Sequence, residues 1–409
     1  MKISLNVYNR LAPLDKHCIK EMLANEFAER GLDIASSLQS GGSVDRTYTE
    51  SPARHLTLHP SALLQAAADV AQCPHLGLKL GQRMAQTWLH DPGQAWWRAP
   101  TLGDALGNLH GCVWMDGCGG TLDIQPGDPT TLRFIVLDPD LESAAAISDM
   151  VVAYLIGVLR ALCGPRWSPE MVELPRRPPR DQQPYRQLFQ CRVGFNAVVA
   201  TIHVRADDLR RELVPPGMLA SMAEVPAARE LPDPVTRIRS YLGSGLSTGT
   251  LRSARQIARH FGVGGRSLQR DLAKARTSCR ELANELRIGM CKRLLSDTEL
   301  PITEIAFALG YADISVLTRA FTRSVGICPS TWRSRPAHAG SAIPLHNAVQ
   351  VAARPAHAGP APGRSLREAA RSTPRGEART SKRSPPPPSE TETQIVPSRT
   401  LSFAEETGF

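Results

Sequence analysis

The chain has 409 residues, 42% of them hydrophobic and 21% charged, with a formal net charge of +9. That length exceeds one small core, so the composition implies a soluble globular protein of two or more domains. The nine cysteines are odd in number and form no Cys-x-x-Cys, which argues against a disulfide framework and for reduced thiols packed as small apolar groups.

The opening residues, MKISLNVYNRLAPLDKHC, lack the apolar core of a signal peptide. Residues 61–73 (SALLQAAADVAQC) place apolar groups at helical spacing. A further helix is expected over 101–110, where Thr101 can cap and Asp104 stands three residues on. Residues 131–138 (TLRFIVLD) read as a strand, 142–163 as a long apolar helix, 195–204 (FNAVVATIHV) as a second strand and 206–213 as a short helix. The best apolar run, 150–159, is far shorter than the ~20 residues of a membrane span. GGSVDR and GVGGRS lack the Lys-Ser/Thr step of a phosphate loop. His110, Cys112 and Cys118 have no fourth ligand at sensible spacing, so no metal site is assigned. Four prolines in residues 214–233 mark a linker. Residues 336–409, with SKRSPPPPSE, read as a disordered Pro/Ser/Arg-rich tail.

Charge divides along the same boundaries. Residues 1–231 carry a net −3, residues 232–335 a net +9 and residues 336–409 a net +3. The middle block is a compact basic unit, which points to a polyanion, with nucleic acid first.

Within that block Ile257-Ala258-x-x-x-Gly262 recurs 48 residues later as Ile305-Ala306-x-x-x-Gly310, and an apolar residue, Leu268 or Val316, follows six positions after each glycine. Each copy reads as helix, break, helix, the pattern of a helix-turn-helix, at about 251–275 and 300–325. Ala258 and Ala306 are small enough for the second helix to cross closely. Gly262 and Gly310 can adopt the positive φ of a sharp turn. Asp313 can cap the second helix of its copy, and Leu317 and Phe321, four apart, face the core. Arg266, Gln269 and Arg270 then share one outer face, where Arg can read guanine and Gln adenine bidentately. Ile314, Ser315, Thr318 and Arg319 are left on the outer faces of the other copy. A connecting helix over 279–295 would hold two recognition helices about one DNA turn (~34 Å) apart, suited to successive major grooves.

These features resemble a known family. Residues 301–333, PITEIAFALGYADISVLTRAFTRSVGICPSTWR, carry the Ile-Ala pair, Gly310-Tyr311, Arg319-x-Phe321, Gly326, Pro329 and Trp332-Arg333, and residues 234–335 as a whole resemble the DNA-binding domain of the AraC/XylS family of bacterial transcription regulators. The resemblance implies seven helices, two helix-turn-helix units joined by a linker helix, and DNA contacts from Arg266, Gln269 and Arg270 and from Ile314, Ser315, Thr318 and Arg319. The chain departs from the family at Gly264-Gly265, where Ser-Pro is common, so the first recognition helix is expected to lack a side-chain cap. Ile314 cannot donate a hydrogen bond, so the second unit is expected to read thymine methyls or mainly phosphate.

HPSALLQAAADVAQCPHLGLKLGQRM, APTLGDALGN and Tyr185-x-x-x-Phe189 with Val193-x-Phe195 are similar to the N-terminal ligand-binding domain of ornithine-utilisation-type AraC regulators. DPGQAWWRAP replaces a Gly-rich stretch there, placing Trp96 and Trp97 in the core or at a pocket rim. The expected architecture is multi-domain: an α/β ligand-binding and dimerisation domain (15–213), a linker, an all-α DNA-binding domain (234–335) and the tail. The implied function is a cytoplasmic, nucleoid-associated, sequence-specific transcription factor, an effector-responsive activator. Its implied partners are double-stranded DNA, RNA polymerase and a small-molecule effector, with a homodimer through the N-terminal domain. No cofactor, metal or membrane is called for, and neither the effector nor its binding residues can be assigned. A ligand-independent DNA-bending protein has no need of a near-neutral domain of ~200 residues. A DNA-repair alkyltransferase needs Pro-Cys-His, whereas the order here is Gln72-Cys73-Pro74-His75.

Overall fold

The computed structural model describes residues 16–29, 60–88, 99–107, 112–115, 118–213 and 233–335. The proposed linker (but for Asp233), the tail, Trp96, Trp97 and His110 lie outside them. The N-terminal domain opens with helices α1 (Lys16–Glu29), α2 (Pro60–Val70), α3 (Leu76–Trp88) and α4 (Leu102–Gly107), followed by strands β1 (Cys112–Met115), β2 (Gly120–Gln125) and β3 (Thr130–Val136). Then come α5 (Ala145–Cys163), β4 (Met171–Glu173), α6 (Gln183–Phe189), β5 (Arg192–Gly194), β6 (Ala200–Val204) and α7 (Ala206–Leu209). One sheet has the order β1-β2-β3-β6-β4-β5 and is antiparallel except for the β4–β5 pair.

α5 is the axis of this domain. Fifteen of its 19 residues are buried, because a helix apolar on every side needs a core on every side. It packs against α2 and α3. The ten-residue apolar run seen in the sequence understated it: Ala145–Cys163 is long and apolar enough to cross a membrane, yet it is largely buried, as a core helix is. Its one acid, Asp149, is fully buried. The Tyr185 hydroxyl donates to Asp149 Oδ2 at 2.7 Å, and Arg176 Nη1 donates to the same oxygen. Burial pushes the Asp149 carboxyl up, against the pull of Arg176.

Several predicted elements are shortened. The helix expected over 61–73 stops at Val70, and Gln72 turns back at φ 48°. Of the helix expected over 101–110 the described part is Leu102–Gly107, with the Asp104 N–H donating to Thr101 Oγ1 at 3.1 Å as anticipated; residues 108–110 lie outside the described residues. The expected strand 131–138 is Thr130–Val136, the helix from 142 begins at Ala145, and the helix over 206–213 ends at Leu209. The strand expected over 195–204 forms only from Ala200. Asn196 takes φ 59°, and the N–H groups of Asn196 and Ala197 go to the carbonyls of Arg176 and Leu174, so the segment turns before it can pair. Cys163, Cys191, Cys279, Cys291 and Cys328 are free thiols.

The second domain is all helix: α8 (Pro234–Ser247), α9 (Ala254–His260), α10 (Gly265–Lys274), α11 (Cys279–Asp297), α12 (Ile302–Ala308), α13 (Ile314–Val325) and α14 (Pro329–Arg333). Ile257, Phe261, Leu286, Ile305, Leu309 and Phe321 lie at its centre. Strand β3 lines both cores. Phe134 and Val136 point into the N-terminal core, while Ile135 and the following Leu137 join the helical core beside Ile238, Leu242, Met290 and Leu294. The period-two alternation of a strand makes one segment serve two faces.

Candidate nucleic-acid interface

Two helix pairs, α9–α10 and α12–α13, end their first helix alike, though α12 opens at Pro301 without a side-chain cap. α9 opens on a capping box: Ser253 Oγ accepts the Gln256 N–H at 3.3 Å and Gln256 Oε1 accepts the Ser253 N–H at 2.7 Å. It closes at Gly262, φ 62°, where the N–H groups of Gly262 and Val263 reach the carbonyls of Arg259 (3.1 Å) and Ala258 (3.0 Å). α12 closes the same way at Gly310, φ 72°, with the N–H groups of Gly310 and Tyr311 on the carbonyls of Phe307 and Ala306, both at 2.9 Å. This paired-bond helix end requires a left-handed residue, which glycine adopts without steric cost. Ala258 and Ala306, both buried, thus supply the receiving carbonyls as well as small side chains.

Past the glycines the pairs part by one residue. Gly264 caps α10 two positions after Gly262, whereas Asp313 caps α13 three positions after Gly310. The first helices therefore repeat at an offset of 48 and the second helices at 49. Buried Leu268 and Leu272 correspond to buried Leu317 and Phe321. Val316, the counterpart of Leu268 in the sequence repeat, is only partly buried, which corrects that alignment. In the structural register Arg266, Gln269 and Arg270 match Ser315, Thr318 and Arg319, and Gly265 matches Ile314.

The predicted face is open on both helices. Arg266, Gln269, Arg270, Ser315 and Arg319 are exposed, and Ile314 is an exposed large apolar side chain. Thr318 is half-buried, and its hydroxyl donates to the Ile314 carbonyl at 2.8 Å. Arg270 has only loose company, Ser267 Oγ at 3.4 Å and Asp271 Oδ1 at 3.9 Å, and exposed pairs of that kind are weak. Asp313 Oδ1 accepts the N–H groups of Ser315 (2.6 Å) and Val316 (2.9 Å). The Val316 bond first, with those to Ser315, holds the Asp313 carboxyl below the usual carboxylate range. α10 has no side-chain cap, as its glycines imply. Arg255 and Arg259 on α9, Lys274 on α10, Arg276 in the turn after it and Arg280 on α11 are also exposed. Sequence reasoning did not assign them, and their only signal was the charge excess of the block.

α11 joins the pairs. Ser278 caps it by accepting the Glu281 N–H at 3.2 Å, and its 19 residues span about 28 Å at the helical rise. It packs against α8, α12, α13 and α14.

With this geometry in place, the chain can be set beside known proteins. Residues 31–213 match the family described as the arabinose-binding domain of AraC transcription regulator, N-term, and residues 257–335 match a helix-turn-helix domain family. The ornithine utilization regulator of Pseudomonas aeruginosa is 26% identical over 349 residues, which span 82% of this chain and all of that protein. The HTH-type transcriptional regulator VirS of Mycobacterium tuberculosis is 24% identical over 283 residues, 66% of this chain and 82% of that protein. The crystal structure of the transcriptional regulator CdpR from Pseudomonas aeruginosa aligns over 80% of this chain and all of that chain at 21% identity and a TM-score of 0.35. The arabinose-binding family and the first two relatives are described as belonging to transcription regulators.

Proposed function

From the premise that this chain is a DNA-binding transcription regulator of the AraC family, we propose that it is an effector-responsive activator that grips one duplex with two helix-turn-helix units. The first unit is α9–α10 and the second α12–α13, with α10 and α13 as recognition helices entering successive major grooves. The observation that carries this reading is the shared register of the two helices. Arg266/Ser315, Gln269/Thr318 and Arg270/Arg319 lie outward, while Leu268/Leu317 and Leu272/Phe321 are buried.

The two faces differ in chemistry. α10 presents two guanidinium groups and an amide, suited to guanine and adenine edges. α13 presents one guanidinium, two short hydroxyl side chains and Ile314, which suits a thymine methyl. Arg255, Arg259, Lys274 and Arg276 are exposed cations that would hold phosphates, contacts that fix register without carrying sequence. The N-terminal domain binds a small molecule and dimerises. The likeness to an ornithine utilization regulator along that protein's whole length puts ornithine first among effectors to test. Such a ligand changes transcription only if it binds one conformation better than another. RNA polymerase is the further partner, and the cytoplasm, at the nucleoid, is the site of action.

Footprinting of the full chain on the DNA flanking its own gene tests the reading. Two protected patches about one helical turn apart are expected, with affinity falling steeply as salt rises. A single patch, unchanged when Ser315, Thr318 and Arg319 are replaced by Ala, would refute the second unit. An unaltered footprint and transcript level with added ornithine would refute the effector.

A further inference from the structure

Along α11, Gly289, Arg293 and Asp297 recur every four residues and share one stripe, and all three meet the N-terminal domain. A Cβ on Gly289 would lie 2.7 Å from Pro139 Cα and 3.1 Å from its carbonyl oxygen, so helix and loop are in backbone contact there. Arg293 is buried, and it donates to carbonyls of the last residue of β3 and of the segment after it: Val136 at 2.9 Å, Asp138 at 2.5 Å and Leu141 at 3.4 Å. Asp297 Oδ2 accepts the Ala144 N–H at 2.7 Å. Ala144 is the N-cap residue of α5 and has no side-chain cap of its own, so a carboxylate from the helical domain serves the positive end of the sensor domain's central helix. The Asp297 carbonyl in turn accepts the Arg177 N–H at 2.6 Å.

The opposite edge of the contact is equally specific. Ser244 of α8 donates to Asp123 of β2 at 2.8 Å, Arg252 donates to Ser244 Oγ at 3.1 Å, and the Arg252 guanidinium and the His260 ring each lie 3.8 Å from the Tyr241 ring. The first helix pair is thus fastened to β2 through α8 and Arg252. The second is fastened to the β3–α5 segment through α11.

We propose that Arg293, with Asp297, is a positioning residue for DNA recognition: it fixes α11 to the sensor domain and so sets where α13 stands relative to α10. It touches no base. An arginine shared among backbone carbonyls is held by geometry rather than by one opposing charge. Any rearrangement of the β3–α5 segment must therefore shift or release α11. This assignment rests on the two-unit reading above.

The test uses the full chain and the duplex that the wild type selects from a randomised library, compared with the same duplex lengthened by about five base pairs between its half-elements, half a turn. The expected result is that Arg293→Met lowers the ratio of the two affinities about fivefold or more, that Asp297→Asn lowers it less, and that Arg293→Lys restores part of it. A melting temperature that drops while the ratio stays at the wild-type value in both Arg293→Met and Asp297→Asn would overturn the assignment, since a purely structural role weakens both duplexes alike. Asp297→Asn keeps an acceptor for Ala144 and serves if Arg293→Met does not fold. If the wild type itself shows no preference for either spacing, the two-unit reading fails, an outcome distinct from an unchanged ratio in the variants.

Discussion

Gly264 and Asp313 hold the same position, the N-cap of the outer helix in each pair, yet only Asp313 bonds the first-turn amides of its helix. Asp313→Ala should therefore lower stability, because the first-turn amides of α13 lose their acceptor. Gly264→Ser should stabilise by a few tenths of a kcal/mol, because the backbone there is extended (φ −69°, ψ 145°) and nothing lies within 4 Å of an added Cβ. Urea denaturation of the full chain checks both, and hydrogen exchange should localise the gain to the α10 amides.

Arg270→Ala should weaken binding to the selected duplex by ~1–3 kcal/mol and relax discrimination at one base position. Thr318→Ala should change affinity by well under 1 kcal/mol, since a hydroxyl already donating to the Ile314 carbonyl has only its acceptor side to offer. Fluorescence anisotropy over a panel of single-base variants separates these outcomes. Equal weakening on every duplex would make Arg270 a phosphate contact.

Two groups should bend the stability profile in opposite senses. His260 is pushed down to about 4 by burial, with Arg252 and Arg237 adding to it. The unfolded chain takes up this proton near ~6.5, so the contribution of the neutral ring is complete above that pH and lost as pH falls toward 4. Burial pushes Asp297 up to about 6, against its bonds to Ala144 and Ser143 and the charge of Arg293. Its contribution is complete below ~3.9, the unfolded value, and lost as pH rises through 6. Asp297→Asn should thus steepen the loss of Tm on acidification between these limits, and His260→Gln should make it shallower. Thermal melts across the acid range decide it.

In the sensor domain, Tyr185→Phe removes the hydroxyl that donates to buried Asp149 and should cost ~1–3 kcal/mol. Arg176→Met leaves that carboxylate without its cation and should cost ~3–5 kcal/mol. Urea midpoints of the two variants test the order; a smaller loss for Arg176→Met would show that Asp149 is held protonated.

What the sequence made legible was local. Gly262, Gly310 and Asp313 act within five residues of themselves, and their turn and cap roles could be read from residue type alone. The extra residue before α13 could not, because Val316 and Leu317 are both apolar and either satisfies the pattern. Distance hid the rest. Asp149 finds Tyr185 and Arg176 at 36 and 27 residues' separation, and the 195–204 segment loses its first half to carbonyls of the preceding loop. Nothing in TLRFIVLD tells which alternate residues serve which core. Gly289, Arg293 and Asp297 look like ordinary members of a helix until Pro139 and the β3 carbonyls are set against them.

The single-residue difference between the two turns bears on anyone who would exchange α10 and α13 to reprogram this regulator. A graft aligned on Gly262 and Gly310 starts its helix one position out of step and swings every side chain by about 100°, carrying the exposed polar residues toward the protein and the leucines toward solvent. Cutting at Gly264 and Asp313 instead keeps the face, so chimeras must be joined where each helix begins rather than where the motifs coincide.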